Sequence, residues 1–326
     1  MKLAAALTLL VAALFAASLV AGRLPVGPGP ALAALWANDG SPLSAVMTQI
    51  RLPRALLAAM IGASLGLSGA AMQGYLRNPL AEPGIIGVSA SAGLGAVIAL
   101  QTGLAAAFAL ALPGLALVGA LVATLLILAL AGPRGAALTL ILGGVAISAL
   151  ASALTSLVLN LSPNPFAASE IIFWMLGSLQ DRSFEHFWLA LPLMAFGWVM
   201  LASTARALDA LTLGEDAAEA LGIRLNRVRL ALVIGTAACV GAGTAVAGAI
   251  GFVGLVVPHV LRPFVGGRPS ALLWASALGG AALVLAADIA VRLVLPDRDL
   301  KLGVLMALVG APLFLHLIYR TRGALR

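Results

Sequence analysis

The chain has 326 residues, of which 62% are hydrophobic and only 10% charged. A soluble domain carries about 25% charged residues, so this composition excludes an ordinary globular protein and points to a bilayer. The net charge of +7 does not indicate nucleic-acid binding, because the basic residues form no single patch and sit at the ends of apolar runs, as membrane anchors do.

A spanning helix takes roughly 20 apolar residues, and ten apolar runs are legible: 3–21, 54–75, 85–101, 112–132, 136–159, 187–204, 229–248, 250–261, 270–293 and 302–319. Helix is the expected form throughout. Backbone groups in lipid must be paired internally, and these runs lack the alternation of a barrel strand. The fold class expected is all-α: a single transmembrane domain over 1–326 with about ten spans. The first run follows Lys2 and exceeds a usual signal core, so it reads as a retained helix. Gly62 and Gly66, and Gly243, Ala247 and Gly251, stand at four-residue spacing, which predicts close helix packing in lipid.

Placing the N-terminus in the cytoplasm puts twelve of the nineteen basic residues inside, in accord with the positive-inside rule. The C-terminus is then also cytoplasmic. Three connections are long. Residues 22–50 are Pro- and Gly-rich and fall outside. Residues 160–186 also fall outside and carry Trp174, Phe184 and Phe187, the pattern of an interfacial helix. Residues 205–228 fall inside and are the most polar part of the chain. Between the second and third runs, Asn78-Pro79 and Pro83-Gly84 break the helix beside Arg77 and Glu82. Irregular backbone at membrane depth is tolerated where it is buried in protein or lines a cavity, so Asn78, Pro79 and Leu80 are candidates for a pathway or gate. The alternative is an ordinary turn.

Sites for chemistry are scarce. Neither Lys2 nor Lys301 follows a glycine, so no phosphate-cradling P-loop exists. His186, His259 and His316 lie far apart, and no HExxH occurs. The single cysteine, Cys239, excludes a disulfide framework. The chain is not expected to be an enzyme, to bind a cofactor or to hold a metal. An ion-coupled secondary transporter would want ionisable groups inside its spans, and only Asp288 qualifies.

Arg51-Leu-Pro-Arg54, the glycine-rich stretch from Gly62 to Gly74, and Arg77-Asn-Pro-Leu-Ala-Glu-Pro-Gly84 together resemble the signature of the FecCD permeases, the membrane subunits of importers for ferric siderophores, haem and cobalamin. The run from Gly248 through Pro258-His259 to Arg262 is similar to that family's second motif, and Asp288 to Arg292 with Gly303 and Gly310-Ala-Pro312 to its C-terminal pattern. The resemblance implies a type II importer permease in the bacterial inner membrane. Its partners would be a second copy of the chain, two ATP-binding cassette subunits that use ATP and Mg, a periplasmic binding protein and membrane lipid. It implies an iron chelate as cargo, with cobalamin the alternative. Carried over by motif, Arg51, Arg54 and Arg292 would meet acidic residues of the binding protein, although Asp288, four residues before Arg292, is placed to pair with it on one helix face. Gly214, Glu215, Asp216, Glu219, Leu221 and Gly222, within the 205–228 loop, would couple to the ATPase. Some relatives carry small hydroxyl residues at an inner gate where this chain has Ala136, Ala137 and Leu138, so a gate there would close by apolar contact.

Overall fold

The computed structural model describes residues 2–22, 26–37, 39–108, 110–132, 137–162, 165–294 and 300–322. It is all helical, with no strand among the described residues. In chain order the helices are α1 (Lys2–Val20), α2 (Pro28–Ala37), α3 (Pro42–Ala45), α4 (Leu52–Tyr75), α5 (Val88–Gln101), α6 (Leu104–Ala107), α7 (Ala111–Ala131), α8 (Ala137–Asn160), α9 (Pro165–Met175), α10 (Phe184–Ser203), α11 (Ala205–Leu211), α12 (Glu215–Ala220), α13 (Leu225–Ala247), α14 (Val253–Leu261), α15 (Pro269–Val294) and α16 (Leu302–Arg322). Each of the ten apolar runs has become one of them. Seven helical stretches are long and apolar enough to cross a membrane, and α5, α14 and α16 are shorter apolar helices.

Burial ranks these helices. The most apolar windows of the stretch ending in α4 and of α13 are 83% and 78% buried, whereas those of α1, α8 and α10 are buried by 22% or less. α4 and α13 therefore form the centre, and the rest wrap them and turn leucines outward. Small residues make the central contacts possible. Gly62 and Gly66 of α4 face the backbones of Gly280 and Ser276 of α15, and a Cβ on either glycine would collide with that backbone. The paired positions run in opposite directions, so the two helices are antiparallel with their axes in close approach, as small-residue faces allow. Gly95 and Gly119 bring α5 and α7 together in the same way. Gly243 meets only Met194 and Ile61 in ordinary contact, and Gly251 lies beyond the end of α13 near Glu82, so that second stripe is not a packing seam along its length.

The long connections are more ordered than a Pro- and Gly-rich composition predicts. Residues 22–50 contain α2 and α3, each with proline in its first turn, where the missing N–H is harmless. A π-helical turn, Val46–Arg51, then runs directly into α4, so Pro42–Tyr75 is one helical stretch. The wider turn accommodates Pro53, which could not donate in a regular ladder. Arg51 is thus inside a helix rather than at its start. Residues 165–175 do form a helix with Trp174 on it, but Phe184 and Phe187 belong to α10. α13 and α14 are separated by a break at 248–252, where Gly248 and Phe252 both have positive φ.

Candidate functional site: a wedge, an acidic hairpin and an arginine cluster

Three groups of side chains organise the molecule around α4 and α15. The first is the segment after α4. Arg77 has φ 48 and Asn78 closes a tight turn by accepting the Leu80 amide at 2.9 Å. Asn78 and Pro79 are exposed and Leu80 is half-buried. Further along, the segment is anchored. The Glu82 carboxylate accepts the Phe252 amide at 2.9 Å, capping the N-terminus of α14, where an anion suits the helix dipole. Pro83 lies against Gly254, and Gly87 packs on Gly144 and Ile147 of α8. Gln73 reinforces the wedge from α4. Its amide nitrogen reaches the carbonyls of Gly254 and Leu255, each at 3.3 Å, and its oxygen accepts from Arg262 at 2.7 Å. Residues 73–87 thus bridge α4, α8 and α14. Ala137 begins α8, but its side chain lies outside the described residues. Leu138 is exposed, and the bridge meets α8 roughly two turns farther on.

The second group is the α11–α12 hairpin. Gly214, at φ 106, precedes α12, and Gly222, at φ 83, follows it. The Ile223 amide returns to the Ala218 carbonyl at 3.0 Å, a Schellman closure that needs the left-handed residue at Gly222. Glu215 and Asp216 occupy the first turn, where acids suit the dipole, and Glu219 is exposed near the end. Leu213 and Leu221 project into solvent on either side. The hairpin is tied to the body by two links. Arg77 pairs with Glu215 at 3.6 Å, joining it to the wedge. Asp209 on α11 accepts the Ser270 amide and hydroxyl at 2.8 and 2.7 Å and Arg268 at 3.0 Å, so it caps α15. Burial alone would raise the Asp209 carboxyl, but the bonds from Ser270 and Arg268 outweigh it and hold the group below its usual value.

The third group lies at the opposite end of α15. Asp288, 1% exposed, receives Arg54 at 2.8 Å and Arg292 at 2.9 Å. The predicted i,i+4 pair with Arg292 is present, and Arg54 joins it from α4. Arg292 also donates to the Ser18 and Ala21 carbonyls at 2.9 Å each, and Arg51 donates to the Leu19 and Val20 carbonyls at 2.8 and 2.9 Å. These carbonyls end α1 and lack intrahelical partners, so the guanidiniums cap that helix. Among the described residues, Asp288 is thus the carboxylate shared by Arg54 and Arg292, with Arg51 close by on the same α1 end. Sequence reasoning found these arginines but missed that they clamp α1, α4 and α15. It also missed Gln73 and did not assign Glu82 its cap. Among the described residues, no group of three or more His, Cys, Asp or Glu side chains could hold a metal.

The sequence model of the FecCD transport family matches residues 9–320. The chain belongs to the FecCD transport family. Among similar curated proteins, the vitamin B12 import system permease protein BtuC of Klebsiella pneumoniae subsp. pneumoniae is 39% identical over 97% of this chain and 93% of its own length. The same-named protein of Citrobacter koseri is 38% identical over 94% of this chain and 90% of its own length. Among solved structures, an inward-facing conformation of a putative metal-chelate type ABC transporter superposes with a TM-score of 0.86 and 33% identity, covering 98% of this chain and 99% of that one. The FecCD chain described here is therefore a multi-pass membrane protein with the fold of a type II importer permease.

Proposed function

We propose that this permease carries cobalamin into a bacterial cell through an ATP-driven importer. The observation that carries the reading is the similarity to vitamin B12 permeases over nearly the whole of both chains. The site geometry is compatible with it. The wedge at 73–87 and the α12 hairpin are joined by Arg77 and Glu215, a mechanical link of the kind that would let an ATPase act on a gate. In this reading the cargo moves past Asn78, Pro79, Leu80, Ala137 and Leu138. It passes between two copies of the chain, each forming one transmembrane domain. The hairpin within 205–228, with both termini, faces the cytoplasm of a cell whose inner membrane the protein spans. An ATP-binding cassette subunit docks on Gly214, Glu215, Asp216, Glu219, Leu221 and Gly222, and it alone hydrolyses ATP with Mg. The permease itself binds no cofactor and catalyses no reaction. Arg51, Arg54 and Arg292 meet acidic residues of a periplasmic binding protein, a charge match that sets register and encounter rate.

An iron chelate remains the second reading, because the solved structure of high similarity belongs to a putative metal-chelate transporter. An ion-coupled carrier is disfavoured by Asp288, which is committed to two arginines and is not free to take up a coupling ion. The test is hydrolysis by the reconstituted permease–ATPase complex in lipid vesicles. Binding protein loaded with cobalamin should stimulate ATP turnover above the level given by the same protein offered ferric siderophore or haem. Stimulation by the iron chelates and none by cobalamin would overturn the assignment.

A further inference from the structure

A cavity of about 260 Å³ opens where the C-terminal ends of α5 and α13 meet the N-terminal ends of α7 and α10, and α9 flanks it. Its apolar wall includes Leu100, Leu112, Pro113 and Ala245, and its polar lining is Glu170, Arg182 and His186. Arg182 is the anomaly. Its Nε is buried with no hydrogen-bond partner, and no ion pair joins its guanidinium to a carboxylate within 4.0 Å among the described residues. Burial lowers its pKa, against the opposing effect of its chain neighbour Asp181. The side chain is half-buried, and leaving its buried Nε unsatisfied is costly, so the cavity suits an anion.

The surroundings agree. His186 Nδ1 accepts the Ser183 amide at 3.4 Å, which leaves Nε2 as the proton-bearing nitrogen of the neutral ring. The N-termini of α7 and α10 both abut the cavity, and helix N-termini attract oxyanions. Glu170, exposed on α9, adds one negative charge to the lining of the same cavity. A simple anion would be repelled by that carboxylate, whereas a ligand with a cation next to its anion would use both. The cavity also sits at the helix ends, the depth of lipid headgroups in a spanning bundle.

We propose that this cavity is a headgroup site for a zwitterionic phospholipid, with the phosphate held by Arg182 and His186 and the ammonium by Glu170. A free phosphate shares the first half of that chemistry but not the second. Native mass spectrometry on the delipidated full chain distinguishes them, with phosphatidylethanolamine, phosphatidylglycerol and inorganic phosphate as probes. The wild type should retain one phosphatidylethanolamine about tenfold more tightly than phosphatidylglycerol, as expected for a hydrogen-bonded charged contact. Glu170→Gln should abolish that preference, and Arg182→Gln should weaken both lipids about tenfold. Millimolar inorganic phosphate should displace neither.

Equal retention by Arg182→Gln, or an undiminished preference in Glu170→Gln, would overturn the proposal. Displacement by inorganic phosphate would do the same, because the site would then be one for a free anion. Thermal melting in lipid-free detergent separates binding from structure. Arg182→Gln should melt no lower than the wild type, because it removes the unsatisfied Nε, and only the wild type should gain stability on adding phosphatidylethanolamine. A lower melting point for Arg182→Gln before any lipid is added would assign Arg182 to the fold and sink the site.

Discussion

The two ends of α15 use charge in opposite ways. At one end Asp288 is 1% exposed and grips Arg54 and Arg292, and Arg292 together with Arg51 caps the last turn of α1. At the other end, beyond Asp209, the acids of α12 stand in solvent, and among the described residues only Glu215 has an ion pair, to an Arg77 side chain that is itself 52% exposed. The first arrangement is a lock, because desolvated charges must keep their partners. The second leaves charge free for another surface, because exposed pairs contribute little to the fold. Residues of the same chemical type therefore answer to different constraints, and substitution at each end should show it.

The largest effect is expected at the lock. Asp288→Ala would strand Arg54 and Arg292 in a buried setting and should cost about 3–5 kcal/mol, seen as a lowered melting temperature and reduced accumulation in membranes. Next comes the seam that holds the lock in register. Gly66→Val would drive a branched side chain into the Ser276 backbone and should cost about 1–3 kcal/mol, measured in the same melting experiment. Asp209→Asn should cost about 1 kcal/mol, the usual value of a lost cap. It also carries a pH signature. The folded carboxyl titrates below its ordinary 3.8, so its contribution is complete above that value and fades as pH falls through the lower folded value. The stability of the wild type and of Asp209→Asn should therefore converge in strongly acidic buffer. Arg77→Ala, which removes one exposed pair, should change stability by less than about 1 kcal/mol.

The contrast also explains what could be read without coordinates. Ten helices were legible because apolar length is a one-dimensional signal, and the bracketing of α12 by Gly214 and Gly222 was legible because its closure is local. Partnerships across the chain were not. Arg54 finds Asp288 across 234 residues, Glu82 finds Phe252 across 170, and Gln73 finds Gly254 across 181, and no periodicity records such pairs. Local rules also misled. Pro- and Gly-rich composition masked α2 and α3, and an apolar run beginning at residue 54 hid the π turn that carries the helix through Pro53. The positions of Arg51 and Arg54 are explained by the carbonyls of α1 and by Asp288.

The central claim, that an ATPase drives this permease by gripping the exposed acids of α12, is tested most directly by cobalamin uptake into vesicles containing permease and ATPase, with ATP inside and loaded binding protein outside. The triple substitution Glu215→Lys, Asp216→Lys and Glu219→Lys should abolish ATP-dependent uptake and co-purification of the ATPase, while the permease melts within about 1 kcal/mol of the wild type because exposed charges contribute little to the fold. Uptake by the triple variant at the wild-type rate would contradict the account.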